Sequence, residues 1–163
     1  MALYGGSRDI SFFNHINKEL LEDVIEQVCS IYKISLNNTA ANIYGESSEK
    51  IYADPVLLNC LITRGEQNTG DDDFGPDRKR SNSFAFYRRH LVDANIVPEI
   101  GDIILWQESY YEIDNLIENQ LTVGKSPDYP SDTPYLNTFG KSWSIIAVTH
   151  LTREDKLNLK KSR

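Results

Sequence analysis

Two short β-type runs on either side of a chain reversal constrain the fold more than any other feature of the sequence. The turn PEIGD at residues 98–102 leads into the apolar run 103–106, and a polar reversal at 107–109 separates it from the run 110–113. Runs rich in β-branched and aromatic residues around a short polar reversal are typical of an antiparallel hairpin. The chain is therefore expected to fold around an antiparallel sheet.

Two further segments predict that this sheet closes or curves strongly. Residues 56–63 (VLLNCLIT) carry apolar side chains on both faces, as a strand does inside a barrel or beneath a helix. Residues 143–151 (WSIIAVTHL) form a last β-branched strand. We predict a mainly β fold, a β-barrel or strongly curved antiparallel sheet. Its core is expected to consist of Leu58, Cys60, Ile62, Ile104, Trp106, Ile145 and Ala147, or of their alternating neighbours.

One amphipathic helix is predicted before the first strand, over residues 17–29. Apolar side chains recur there at helical spacing while charged residues fill the opposite face, and Asn17 is suited to cap the first turn. The residues expected to pack this helix on the barrel are Leu20, Leu21, Val24 and Ile25. From residue 30 the period changes from about four to two, so barrel strands are expected over residues 30–151.

Two long polar segments interrupt the strand pattern, at residues 65–83 and 124–142. The first holds only one large apolar side chain, Phe74, and the second is rich in Pro, Gly and Tyr. Loops of this length in a compact domain are commonly either binding loops or segments that stay mobile until a partner orders them. We predict one domain over residues 1–163, with these two extended insertion loops and a polar C-terminal tail at 152–163.

Composition excludes several classes of protein. The formal charge of -7 disfavours stable binding to duplex DNA, because neutralising phosphates requires a surplus of Lys and Arg. No apolar run approaches the roughly 20 residues of a membrane span, and no secretion signal is recognised, so synthesis in the cytoplasm is expected. Cys29 and Cys60 lack metal-site spacing and are predicted to be small core residues.

The order of these elements resembles the neck or head-closure proteins of tailed bacteriophages, notably those of contractile-tailed phages. The resemblance lies in IYKISLNNTAANIYGES, the insertion ending in DDDFGP, GDIILWQESYYEIDN and TVGKSPDY, and it spans most of residues 20–151. It implies a virion protein that forms a homo-oligomeric ring at the portal vertex, closes the DNA-filled head and joins a portal-side adaptor to the tail terminator. Six copies are predicted, with twelve as the alternative.

Within such a ring, the two insertions supply the candidate interface and lumen residues. Acidic side chains near residue 72 would face the lumen and repel DNA phosphates, so that DNA passes without specific binding. The basic clusters are expected to pair with acidic loops of a neighbouring subunit, and the tyrosines either bury area at an interface or pack within their own loop. The candidates are Asp71, Asp72, Asp73, Phe74, Asp77, Arg78, Lys79, Arg80, Arg88, Arg89, Tyr129, Tyr135 and Phe139.

No catalytic set is recognised, and neither a metal nor a cofactor is predicted. His15, His90 and His150 are scattered in the sequence and are expected to be structural. Three alternatives remain open. One is a tail terminator or other tail-tube connector; another is a divalent-metal-dependent hydrolase that uses Asp71, Asp73 and Asp77; the third is a simple binding adaptor.

Overall fold

The computed structural model describes residues 7–35, 39, 50–72, 75–118, 143–154, 157 and 159, of which 7–10, 66–72 and 75–79 are described by their backbone only. A helix α1 opens the chain and continues as a π-helical segment. Six strands and one short helix follow. The bounds are α1 Ser7–Glu19, the π-helical segment Leu20–Ile25, β1 Val28–Tyr32, β2 Val56–Asp72, β3 Gly75–Tyr87, α2 Arg88–Asp93, β4 Ile103–Trp106, β5 Ser109–Ile117 and β6 Ser144–Thr152.

The six strands form a closed antiparallel barrel in the order β1-β2-β3-β6-β5-β4. The register joins Cys60 to Phe86 across β2 and β3, and Phe86 to Ile145 across β3 and β6. Closure pairs the strand edges that an open sheet would leave free. The predicted mainly β architecture with an N-terminal helix is confirmed.

The barrel interior is filled by one side of each strand, as the period of two requires. Six of the seven predicted core residues are buried, and the seventh, Ile62, is partly buried and packs against them. Phe84 lies at the centre of an aromatic group, with ring centroids 6.1 Å from Trp106 and 5.6 Å from Tyr111. Both cysteines are buried and free, as predicted. The core prediction is therefore confirmed.

The helix prediction is wrong in its bounds and in half of its packing. The helix begins ten residues earlier than predicted, and Glu26 ends it with a left-handed φ of 48°. Val28 and Cys29, assigned to the helix by their spacing, start β1. Val24 is 71% exposed and Leu20 is also exposed. A π-helix has more residues per turn than an α-helix. The α-helical period therefore does not predict which side chains are buried after residue 20.

Residues 65–83, predicted as a loop, lie almost entirely in strands β2 and β3. Hydropathy reports burial, whereas backbone pairing requires no apolar side chain, so a polar hairpin has the composition of a loop. Residues 124–142 lie outside the described residues. The predicted polar tail contributes Leu157 and Leu159, which pack against Tyr32, Ile103 and Tyr110. The single-domain assignment stays a prediction.

Asp102 fixes the turn that leads into β4. Its Oδ1 accepts a hydrogen bond from the Ile34 backbone N–H at 2.9 Å, and its Oδ2 accepts one from the Glu99 N–H at 2.8 Å. Gly101 before it has φ +92°, a conformation that favours glycine. Burial raises the pKa of the Asp102 carboxyl, against the opposing effect of the two N–H donors. Asp102 therefore joins the turn before β4 to the segment that follows β1, and Gly101 supplies the backbone conformation that this turn needs.

Candidate interaction surfaces

The antiparallel order places the β2–β3 hairpin and the two residues that flank positions 119–142 at opposite ends of the barrel. Strands β2, β4 and β6 end at one end, while β1, β3 and β5 end at the other. The β2–β3 hairpin projects from the first end. Glu118 and Trp143, which flank the undescribed residues 119–142, lie at the second end, where the backbone N–H of Arg88 also bonds to the Trp143 carbonyl at 2.9 Å. One barrel therefore carries a long insertion at each end.

The projecting part of the hairpin, residues 66–80, is here called the arm. Six residue pairs, from Gln67 with Arg80 to Asp72 with Gly75, hold its strands together. At about 3.3 Å per residue the arm is roughly 20 Å long. The barrel pairings stop at Asn59 on β2 and at Ser81 on β3, so no described strand pairs with either edge of the arm. Unpaired strand edges are templates for pairing with another chain.

The register of the arm separates its charges along its length. Arg78, Lys79 and Arg80 stand opposite Thr69, Asn68 and Gln67, in the half of the arm nearer the barrel. Of the four acidic positions described in the arm, Asp71, Asp72 and Asp77 lie in the half nearer the tip, and Glu66 lies at the base. Asp73 and Phe74 of the tip itself lie outside the described residues. The three basic residues therefore outnumber the one acidic residue at the base of the arm, while acidic positions predominate near its tip.

A β-bulge at the base of the arm explains why Gly65 stands there. Gly65 and Glu66 oppose the single residue Ser81, between the pairs Arg64–Asn82 and Gln67–Arg80. A Cβ on Gly65 would lie 2.5 Å from the backbone oxygen of Ser81. Bulges bend a hairpin and increase its twist, so this one sets the direction in which the arm leaves the barrel.

We expect Gly65→Val to destabilise the fold by about 1–3 kcal/mol, because the added side chain overlaps backbone that cannot swing away. The measurement is the free energy of unfolding in urea, together with the rate of proteolysis within the arm. Thr63→Val is the matched control, since Thr63 is exposed on the same strand, and it should change stability by no more than about 0.5 kcal/mol. Equal stability of both variants would contradict the bulge assignment.

Of the second basic cluster, Arg88 pairs within its own subunit and Arg89 is exposed. The Arg88 Nη2 lies 2.6 Å from Glu118 Oε2. Both side chains are at least a third exposed, so this ion pair adds little to stability and instead holds the end of β5 against the start of α2. Arg89 takes no part in this ion pair.

All three histidines lie next to a carboxylate. His15 contacts Glu19 one helical turn away, which the sequence spacing allows, whereas His90 contacts Glu22 at 3.1 Å and His150 Nδ1 lies 2.7 Å from Asp114 Oδ1, both far apart in the sequence. The Nε2 of His150 is also 3.4 Å from the hydroxyl of Thr152 on the same strand. His150 and Asp114 are both about half exposed on β6 and β5. Asp114 reaches His150 only through the pairing of these two strands, so the sequence alone did not reveal that contact.

The helix lies on the outer face of β2, β3 and β6 and leaves an apolar groove beneath it. Asn14 accepts a hydrogen bond from the Tyr87 hydroxyl. The groove has a volume of about 540 Å³, and its wall includes Leu21, Ile25, Leu61, Phe86 and Ile146. The helix therefore touches the barrel without filling the space between them.

Five of the predicted site residues cannot be placed beyond their position in the chain. Asp73, Phe74, Tyr129, Tyr135 and Phe139 all lie outside the described residues. In the part of the chain that the structure describes, no three His, Cys, Asp or Glu side chains are arranged to hold a metal ion. The carboxylates of Asp71, Asp73 and Asp77 are not described, so the hydrolase hypothesis stays a prediction.

No protein-family model matches the chain, and no curated protein matches it. Among solved structures, it is similar to the protein XkdH of the phage-like element PBSX from Bacillus subtilis. The two share 14% sequence identity with a TM-score of 0.38, over 80% of this chain and 96% of that one. This likeness is too distant to assign a function or an assembly. Within the described residues, no helix is both long and apolar enough to cross a membrane.

Proposed function

We propose that the chain is a structural virion protein of the neck of a tailed phage. It assembles into a homo-oligomeric ring of six copies, or alternatively twelve, which closes the DNA-filled head and connects the portal-side adaptor to the tail. The resemblance of its sequence to head-closure proteins is the first support. The observation that carries the proposal is a closed barrel with a projecting arm at one end and the flanks of a second long insertion at the other.

A connector between two assemblies needs a rigid body and contacts on two sides. The closed barrel supplies the rigid body, because its strands are paired all the way round. The arm is proposed to contact a partner at one end, and the other end, where Glu118 and Trp143 lie, is proposed to face the second partner. In a ring each contact is repeated around the symmetry axis, so contacts that are weak singly become stable together.

The negative net charge of the chain favours a protein past which DNA moves over a protein that binds DNA. The chain carries a net charge of -7, and three of the four described acidic positions of the arm lie in the half nearer its tip. A ring whose arms direct carboxylates towards the lumen would repel phosphates and let DNA pass without specific binding. The chain is accordingly proposed to act by assembly and not by catalysis.

Fractionating the particles that contain the chain tests this function. We expect the chain in DNA-filled heads and in complete particles, and we expect heads that lack it to lose their DNA. Recovery with free tails instead would favour the tail terminator, the alternative within the structural class.

The hydrolase alternative has its own test. Asp71→Asn, Asp73→Asn and Asp77→Asn are combined in one variant, and nuclease cleavage is assayed with and without magnesium. We expect no cleavage by the unaltered chain. A magnesium-dependent cleavage that the triple variant loses would contradict the structural function.

A further inference from the structure

Helix α1 and its π-helical extension carry a second apolar stripe that is largely exposed in the described structure, although its member Leu20 also borders the groove beneath the helix. Its members recur at spacings of three and four residues and are Phe12, Phe13, Ile16, Leu20 and Val24. Phe12 is 60% exposed and Phe13 is 55% exposed. Asn14, Leu21 and Ile25 contact the barrel or line the groove, so this stripe lies largely on the opposite side of the helix.

The stripe continues onto the outside of the barrel. Leu57, which is 71% exposed, and Leu61 are exposed on β2, and Val28 is exposed on the neighbouring strand β1. Leu20 and Leu61 line the same groove, so the helix and the barrel contribute to one continuous surface. We call it the α1 surface and define it by Phe12, Phe13, Ile16, Leu20, Val24, Val28, Leu57 and Leu61.

The size of the α1 surface is that of a stable subunit interface. From the exposed fractions of its eight side chains, its apolar area is on the order of 700 Å². The largest apolar patch of an ordinary monomer is about 300–600 Å². A specific interface buries about 800 Å² on each partner. The α1 surface thus exceeds what a monomer normally exposes and approaches one side of a standard interface.

Charge decides between two ways of covering this surface with another copy. The carboxylates of Glu19, Glu22, Asp23 and Glu26 lie on the same helical segment. If two α1 surfaces met face to face, these carboxylates would be brought together and would repel. The base of the arm, with Arg78, Lys79 and Arg80, is the complementary surface of the same chain. A head-to-tail contact brings the acidic helix of one copy beside the basic arm of the next.

We propose that the α1 surface binds a second copy of this chain, head to tail, with the basic base of the neighbour's arm beside the acidic helix. This deepens the ring function proposed above by naming the surface at which subunits join. A head-to-tail contact continues from copy to copy until the ring closes, whereas a face-to-face contact stops at a dimer.

Sedimentation velocity of the full chain from micromolar to millimolar concentration tests the proposal. We expect the unaltered chain to form species larger than a dimer, and Phe12→Ser combined with Phe13→Ser to weaken association by at least about 100-fold. The matched control combines Val92→Ser with Val97→Ser, two equally exposed residues outside the surface, and should associate as the unaltered chain does. Circular dichroism checks that every variant folds.

Exchanging the charges between the helix and the arm tests whether the partner at the α1 surface is a second copy of this chain. Glu19→Lys with Asp23→Lys should weaken association, and adding Arg78→Glu with Lys79→Glu should restore it, because the two sites face each other across the contact. Failure of the second pair to restore association, or a complex that stops at a dimer, would overturn the head-to-tail arrangement.

Other outcomes separate this inference from the neck function. An unaltered chain that stays monomeric at millimolar concentration, or a Phe12 and Phe13 double variant that associates normally, overturns the inference. If that variant self-associates normally but is lost from particles, the surface binds a different protein and the second-copy occupant is wrong. The neck function is overturned by absence of the chain from filled heads, and the association measurements do not bear on it.

Discussion

Replacing residues 66–80 by Asn-Gly is expected to leave the barrel folded and to abolish retention of DNA in the particle. The graft joins Gly65 to Ser81, directly beyond the barrel pair Arg64–Asn82, through the dipeptide that a two-residue hairpin turn prefers. The arm holds none of the core residues, and an isolated two-stranded hairpin is marginally stable, so the free energy of unfolding should change by less than about 1 kcal/mol. The measurements are urea unfolding and the DNA content of assembled heads.

The same dipeptide placed elsewhere on the barrel is the control. Gln107 and Glu108 form the β4–β5 turn with φ values of 47° and 60°, which Asn-Gly adopts more readily. This second graft should stabilise the barrel slightly and leave the particles normal, since the arm is intact. Normal heads with the armless chain would contradict the role given to the arm, because the barrel alone would then suffice.

Asp102→Ala is expected to produce the largest loss of stability from a single polar residue, about 2–5 kcal/mol. Removing the carboxylate leaves the backbone N–H groups of Ile34 and Glu99 without the acceptors they now have. Asp102→Asn keeps one acceptor and should lose less. The matched control is Glu99→Gln, which keeps the Glu99 backbone N–H donor but removes the ion pair with Lys33 and the repulsion between the Glu99 and Asp102 carboxylates. It should cost no more than about 0.5 kcal/mol. Urea unfolding of the three variants measures the difference in stability. Equal losses of stability for Asp102→Ala and Glu99→Gln would contradict the stabilising role given to the Asp102 hydrogen bonds.

The pH dependence of Asp102 has a defined sign. Burial raises the pKa of its carboxyl above the ordinary value, so the folded chain keeps this proton over a range in which the unfolded chain has lost it. Stability falls with rising pH wherever the folded state binds more protons. The free energy of unfolding of the unaltered chain should therefore fall, relative to Asp102→Asn, as the pH rises from about 4. The opposite slope would show that the two N–H donors outweigh burial.

The barrel core could be predicted from the sequence because its buried positions are occupied by apolar residues. Trp106 and Ala147 alternate with more exposed neighbours along short strands and lie in the interior as their period requires. Ile104 lies in the same core, but its neighbour Ile103 is also buried, in a second cluster. The β4–β5 hairpin was predictable from its apolar runs, even though Gln107 and Glu108 are unusual residues for its turn conformation. The apolar residues on both faces of β2 correctly indicated a barrel, although the outward residues Leu57 and Leu61 are exposed.

The arm and the α1 surface were harder to predict, because neither consists of buried apolar residues that a hydropathy pattern would reveal. Strand pairing beyond residue 65 depends on backbone hydrogen bonds between polar residues, which resemble a loop in composition. The helix start was missed because Phe12, Phe13 and Ile16 recur at helical spacing without the charged opposite face that marks the segment after residue 17. Reading the period further towards the N-terminus would have found the stripe.

An electron cryomicroscopy map of DNA-filled particles tests the central claim most directly. The account predicts a ring of barrels beneath the portal, each with the strand order β1-β2-β3-β6-β5-β4 and with its arm against the neighbouring copy. The path of helix α1 in the same map would show whether the α1 surface is covered by that neighbour. A map in which the junction between head and tail contains no density for this chain would contradict the account.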